Sequence, residues 1–178
     1  MINLPSVTQV ISRWQNFQFV KPDVLQAAAD RGAAVHRHCA ALLSGLWLPA
    51  PPAEIAGYLE SFEAWRQIAV IEVLATEISL VENILGFQGH PDLICRLRNG
   101  DVAVVDFKTP VSVNRAWRLQ LAAYYRLAEV NGYEVTTAFS LRLSPKGGSA
   151  KAAVVAQPQK DLAVFLAALA VHNFFHRA

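Results

Sequence analysis

The sequence predicts an α/β fold of the α+β kind, a central mixed β-sheet flanked by helices. The order of its patterns points there: helices, then three strands, a helix, one or two further strands and a closing helix. The sharpest local sign is Asn99-Gly100, a hairpin signal set between the strand-like runs Leu93 to Leu97 and Val102 to Phe107. The 178 residues are enough for a real core, and a single domain over 1–178 is expected. Apolar residues make up 53%, so the helices bury wide faces or some surface is kept for a partner.

The elements follow in order. Ser6-Val7-Thr8-Gln9 reads as a capping box opening a short helix. Asp23 to Leu43 reads as a long helix, with Asp23 and Gln26 as its capping box and Gly45 as its stop. Pro49 to Pro52 is a linker into a helix from Ala53 to Gln67. Strand character begins near Val70, a strand is expected through Glu77 to Val81, and Asn83 to Gly86 turns the chain toward Asp92. After the hairpin, a helix is expected from Val113 to Val130, ended by Asn131-Gly132. Glu134 to Leu143 and Ala152 to Ala156 read as strands, and Gln159 to Phe175 as the last helix.

Composition removes several classes. A net charge of +2 is no nucleic-acid signature by itself, although basic residues gather after the hairpin begins, from Arg96 to Lys151. Two cysteines, Cys39 and Cys95, sit in apolar runs without a CxxC partner and read as buried free thiols. They cannot hold a four-cysteine iron–sulfur cluster. No basic-then-apolar leader opens the chain, and Leu162 to Val171 is too short to span a membrane. A soluble cytoplasmic protein without membrane contact is expected.

The chemistry concentrates at Pro91-Asp92 and Asp106-Phe107-Lys108. Two turns are open between them. A two-residue loop, Asn99-Gly100, sets Asp92 opposite Phe107 and sends Asp92 and Asp106 to opposite faces. A three-residue loop, Arg98-Asn99-Gly100, with Gly100 left-handed, sets Asp92 opposite Asp106 and puts Lys108 on the same face. The second is expected, because two buried carboxylates side by side need a cation. Such a pair suits a hard divalent ion, Mg²⁺ or Mn²⁺, and a lysine beside it can orient water and stabilise charge on a phosphate. The plainer alternatives are a turn hydrogen bond for Asp92, an ion pair for Asp106 and a snorkelling Lys108.

Other candidates are less specific. Glu77, on the expected preceding strand, is favoured as a third carboxylate over Glu82, which is expected to be exposed near the turn at Asn83. His36, one turn after Gly32, offers an imidazole ligand, with an ordinary half-buried histidine as the alternative. His38 and His90 are left as ordinary histidines. Gln120 and Tyr124 share a helix face and could reach a phosphate or a flipped-out strand, with Arg115 and Arg118 holding the backbone nearby. Simple packing of Tyr124 beside Trp117 and Leu121 is a near-equal alternative.

Three stretches, Gly89-His90-Pro91-Asp92, Val105-Asp106-Phe107-Lys108-Thr109 and Gln120-Leu121-Ala122-Ala123-Tyr124, resemble the PD-(D/E)XK nuclease superfamily. The Gln-x-x-x-Tyr pair resembles its RecB-type exonuclease branch, which includes phage recombination exonucleases. Gly32 to His36 looks like that branch's Gly-x-x-x-His element, and Leu4 to Thr8 like the opening of phage and mobile-element members. The resemblance runs from Leu4 to about Tyr125, and the tail from Tyr133 carries no motif. It implies a restriction-endonuclease-like core. It also implies metal binding by His36, Glu77, Asp92, Asp106 and the Phe107 carbonyl, catalysis by Lys108, and Gln120 and Tyr124 orienting substrate or supporting Lys108. The implied reaction is metal-assisted hydrolysis of DNA phosphodiesters to 5′-phosphates, in recombination, repair or phage and mobile-element DNA processing. Without cluster cysteines or a helicase, processivity would need a homo-oligomer or a recombinase or helicase partner.

Two further readings stand beside the exonuclease. One is a non-catalytic nucleic-acid-binding or assembly subunit, recognisable by His36 or Glu77 turned away from Asp92. The other is a structure-specific endonuclease acting on branched DNA. The apolar helix Leu162 to Phe175 fits either an oligomer interface or plain core.

Overall fold

The computed structural model describes residues 4–15, 20–110 and 112–176. In chain order the elements are α1 (Val7–Ile11), α2 (Pro22–Leu43), α3 (Ala53–Ala69), β1 (Val70–Thr76), β2 (Leu80–Glu82), β3 (Phe87–Gly89), β4 (Leu93–Leu97) and β5 (Val102–Lys108). Then follow α4 (Ala116–Val130), β6 (Thr137–Arg142), β7 (Lys151–Val155) and α5 (Pro158–His176). Five strands form one sheet in the order β1-β4-β5-β6-β7. Its pairs are antiparallel except β5–β6, which run parallel. Parallel neighbours need a crossover, and α4 supplies it. This is the mixed sheet flanked by helices that the pattern predicted.

The two faces of the sheet are sorted by residue parity. Leu93, Cys95, Ala103, Val105 and Phe107 pack against Val35 of α2 and Ile55, Phe62 and Trp65 of α3. Ile94, Val102 and Val104 pack with Leu121 and Leu127 of α4 and Phe165 of α5. The hairpin strands are apolar on both faces because both faces are covered. Cys39 and Cys95 are free and buried.

The β4–β5 register settles the turn. Leu93 pairs with Val105 and Arg96 with Val102. The Leu97 N–H donates to the Asp101 carbonyl at 2.8 Å, leaving Arg98-Asn99-Gly100 as a three-residue loop. Gly100 takes φ +93°, a left-handed value that glycine adopts without a Cβ penalty. One step beyond the Leu93–Val105 pair, Asp92 stands opposite Asp106.

Several local expectations needed correction. The strand expected through Glu77 to Val81 breaks: β1 stops at Thr76, and Glu77 turns the chain with φ +48°. Asn83 to Gly86 does not lead directly to Asp92 but closes a separate hairpin of β2 and β3. The Asp23–Gln26 capping box does not form. Pro22 presets the first helical position, so α2 starts a residue earlier and Gln26 bonds Asp30 at 2.8 Å. The Ser6–Gln9 box does form, with both reciprocal bonds. Helix α4 begins at Ala116 rather than Val113, because the Asn114 side chain accepts the Ala116 N–H at 2.8 Å. The strand expected from Glu134 begins at Thr137.

Candidate metal centre and its lysine

Three strand ends meet at one edge of the sheet: the end of β1, the start of β4 and the end of β5. Helix α2 reaches this edge from one face and α4 from the other. Asp92, 6% exposed, is held from both sides. Its Oδ1 lies 2.9 Å from His36 Nδ1, and its Oδ2 accepts the Phe107 backbone N–H at 2.5 Å. Its backbone carbonyl accepts the Thr76 hydroxyl at 3.0 Å and the Glu77 N–H at 3.2 Å. The turn at Glu77 is thereby tied to Asp92, and the glutamate comes off the end of β1 toward it.

One ligand atom each from His36, Glu77 and Asp92 lie within 4.8 Å of one another. Asp106, expected in the same ligand set, is not in this group; its Oδ2 lies 2.6 Å from Lys108 Nζ. That contact is ionic rather than a well-directed hydrogen bond, so Oδ2 is a buried oxygen without an aligned donor. Lys108 Nζ donates instead to Gln120 Oε1 at 2.9 Å, and Gln120 Nε2 donates to the Tyr124 hydroxyl at 3.2 Å. The Trp117 ring lies under the ammonium at 5.4 Å. The plainer reading of Asp106, an ion pair with Lys108, is therefore present alongside its proximity to the cluster.

The titration behaviour fits crowded acids. Burial disfavours a charged His36, but Asp92, with Asp106 behind it, outweighs burial and pushes the imidazole up to about 9. Burial and then the Asp92 charge hold the Glu77 carboxyl above the usual range. Burial also raises Asp106, against the pull of Lys108. Burial likewise pushes the Tyr124 phenol up. Glu77 and Asp106 are raised in part by the neighbouring Asp92 charge, the condition that a bound cation relieves. Imidazole and carboxylate donors, with a further carboxylate oxygen lacking an aligned donor, fit a divalent ion.

The remaining candidates are placed as follows. Gln120 and Tyr124 are 5% and 4% exposed, and the contacts of Gln120 are to Lys108 on one side and Tyr124 on the other. Arg118 makes two bonds to Asp161 of α5, at 2.7 and 3.0 Å, and braces α4 against α5. Arg115 is exposed at the start of α4. His38 bonds the Ala34 carbonyl of its own helix, and His90 is exposed. At Gly32 an added Cβ would meet Thr109 Oγ1 at 3.8 Å, an ordinary contact. Gly89 is tighter than Gly32, since a Cβ there would stand 2.7 Å from Tyr124 Cε1. Glu82 is buried, not exposed as expected. It is the last residue of β2 and lies under α4, where Arg126 pairs with it at 3.0 Å. The sequence reading missed Thr76 and Trp117; a hydroxyl one residue before the Glu77 turn was the only available sign of the first.

The family model of the PD-(D/E)XK nuclease superfamily matches residues 20–172, and the chain belongs to that superfamily. Its nucleases use divalent metals, in keeping with the donor set gathered here. No curated protein matches the chain significantly. No helix among the described residues is long and apolar enough to cross a membrane.

Proposed function

We propose that this protein is a Mg²⁺- or Mn²⁺-dependent deoxyribonuclease, an exonuclease that hydrolyses DNA phosphodiesters to 5′-phosphate ends. The observation that carries the reading is the convergence of His36, Glu77 and Asp92 beside the buried Asp106–Lys108 pair. His36, Glu77 and Asp92 would hold the ion, with Asp106 adjoining. A bound divalent ion supplies Lewis-acid polarisation of the phosphate and a more acidic water. Lys108 directs its ammonium at the attacking water and at the charge that builds on the phosphate. Gln120, fixed in turn by Tyr124, keeps Nζ on the reacting side of Asp106. Phe107 and Thr76 fix Asp92 through its carboxylate and its carbonyl.

The preference for an exonuclease rests on the likeness of Gln120-Leu121-Ala122-Ala123-Tyr124 to the RecB-type branch. The same likeness supports a role in recombination, repair or phage and mobile-element DNA processing. We propose one nuclease domain over the chain, acting in the cytoplasm, with processivity supplied by a homo-oligomer or by a recombinase or helicase partner. The approach of His36 and Glu77 to Asp92 favours a catalytic protein over a binding subunit that only kept the fold.

A cleavage assay tests this. Purified protein with Mg²⁺ or Mn²⁺ is given end-labelled linear duplex, linear single strands and covalently closed circles, with Lys108→Ala alongside. Metal-dependent loss of linear DNA only, absent in the variant, is the expected result. Nicked circles would make it an endonuclease, and intact DNA throughout would leave a binding subunit.

A further inference from the structure

A cavity of about 640 Å³ opens directly onto the metal cluster. Its lining includes His36, Thr76 and Glu77 and, from the loop after α2, Leu46, Trp47 and Leu48. Trp47 is 84% exposed and Leu46 66%. The exposed Arg37, next to His36 on α2, lines the same space. Nothing in the fold needs an indole here. The core of this layer is built from Val35, Cys39, Ile55 and Phe62, without Trp47.

An exposed indole lining the same cavity as a phosphodiester-binding cluster has a natural occupant. The phosphate goes to the cluster, and the base attached to it can reach the indole that lines the same space. Every base has a π-face, so stacking on tryptophan holds a nucleotide without reading its identity. A base inside an intact duplex has both faces covered by its neighbours and cannot make this contact. Arg37, which lines the same cavity, supplies a positive charge for the backbone.

We propose that Trp47 is a stacking platform for an unpaired nucleobase beside the scissile phosphate, so that the site takes single strands and opened duplex ends in preference to closed duplex. This rests on the nuclease reading, and it deepens that reading by naming the substrate form.

The test is binding, read apart from cleavage. Fluorescence anisotropy, with Ca²⁺ in place of Mg²⁺ or Mn²⁺, measures three labelled probes: a short oligothymidylate, a blunt duplex closed by G·C pairs, and the same duplex with a mismatched end. The proteins are wild type, Trp47→Ala, Trp47→Phe and, as a control on a distant exposed indole, Trp14→Ala. Trp47→Ala should weaken the oligothymidylate and the mismatched end by about tenfold while leaving the blunt duplex unchanged, as expected for one lost base–aromatic stack. Trp47→Phe should restore most of the loss, and Trp14→Ala should change nothing. In Mg²⁺, Trp47→Ala should raise KM on single strands more than it lowers kcat.

Equal binding of the unpaired probes by wild type and Trp47→Ala would overturn the proposal and leave the indole to a protein partner. An equal loss on the blunt duplex would also overturn it. A wild type that cleaves DNA without any Trp47 dependence sinks this inference alone. A wild type that binds through Trp47 but cleaves nothing sinks the nuclease reading and keeps this one.

Discussion

Two buried acids, each paired with a base, lie on α4's side of the structure and serve opposite ends. Glu82 is completely occupied: Oε2 takes the Arg126 guanidinium at 3.0 Å, and Oε1 takes the Ile84 N–H at 3.0 Å. Asp106 is not. Its Oδ2 has the Lys108 ammonium at 2.6 Å but no aligned donor, and burial and the Asp92 charge work against its ionised form. A buried carboxylate with both oxygens hydrogen-bonded is a structural brace. One left under-satisfied, next to further acids and a lysine that is itself held by Gln120, retains capacity for something the protein chain does not supply. Burial alone would have ranked the two alike, at 3% and 2% exposed. What separates them is how their oxygens are spent.

The largest expected effect breaks the second pair. Lys108→Ala should lower cleavage by on the order of a thousandfold or more, the scale of a lost electrostatic contact to a transition state. Circular dichroism should show the fold intact, since the lysine sits at the end of β5 rather than in the core. Full activity in this variant would move the chemistry elsewhere.

The reciprocal change breaks the first pair. Glu82→Ala leaves Arg126 without its partner and the Ile84 N–H without its acceptor. It should cost about 2 kcal/mol of stability in urea unfolding, a value moderated by the partial exposure of Arg126. Cleavage per folded molecule should be retained. Lost activity with unchanged stability would contradict the division drawn between the pairs.

A pH titration sharpens the comparison. In the metal-free fold His36 is raised from 6.5 to about 9, so the folded chain holds this proton more tightly than the unfolded chain. The stability it adds is complete below pH 6.5 and is lost as pH rises through about 9. In EDTA, the melting temperature should therefore fall across that window, and His36→Gln should flatten the fall. Saturating Mn²⁺ should oppose it, because the metal takes only the neutral imidazole. A melting temperature in EDTA that rises over the same window would refute the assignment.

The smallest effect belongs to a third pair, Arg96–Glu72, at 3.1 Å with both side chains open to water. Glu72→Ala should change stability by less than about 0.5 kcal/mol and leave cleavage alone. A larger loss would mean that ion pairs at the sheet surface carry more of this fold than solvent screening allows.

Much of the fold was legible because its causes are local. The Asn131-Gly132 stop, with Gly132 at φ +91°, and the Ser6–Gln9 box depend on neighbours a few residues away. The failures were local competitions won by an unnoticed rival. Pro22 overrode the Asp23 cap, and the Asn114 side chain delayed α4. Glu77 was assigned to a strand because its neighbours alternate. Its left-handed turn follows from its bond to the Asp92 backbone, fifteen residues further along the chain.

By itself the sequence determined the hairpin and narrowed its parity to two registers, of which the structure takes the expected one. A three-residue loop ending in a left-handed Gly100 fixes the register, and strand alternation then sets Asp92 opposite Asp106 and puts Lys108 on the same face. Such geometry is short-ranged, so residue order is sufficient to reduce it to two alternatives. Only the tertiary structure decided that His36 meets Asp92 across 56 positions of chain, that Glu82 is buried under α4, and that Trp47 and Glu77 line one cavity. Those meetings depend on how helices and loops dock on the two faces of the sheet. Docking sums many weak apolar contacts between distant segments, and no single spacing in the chain encodes that sum.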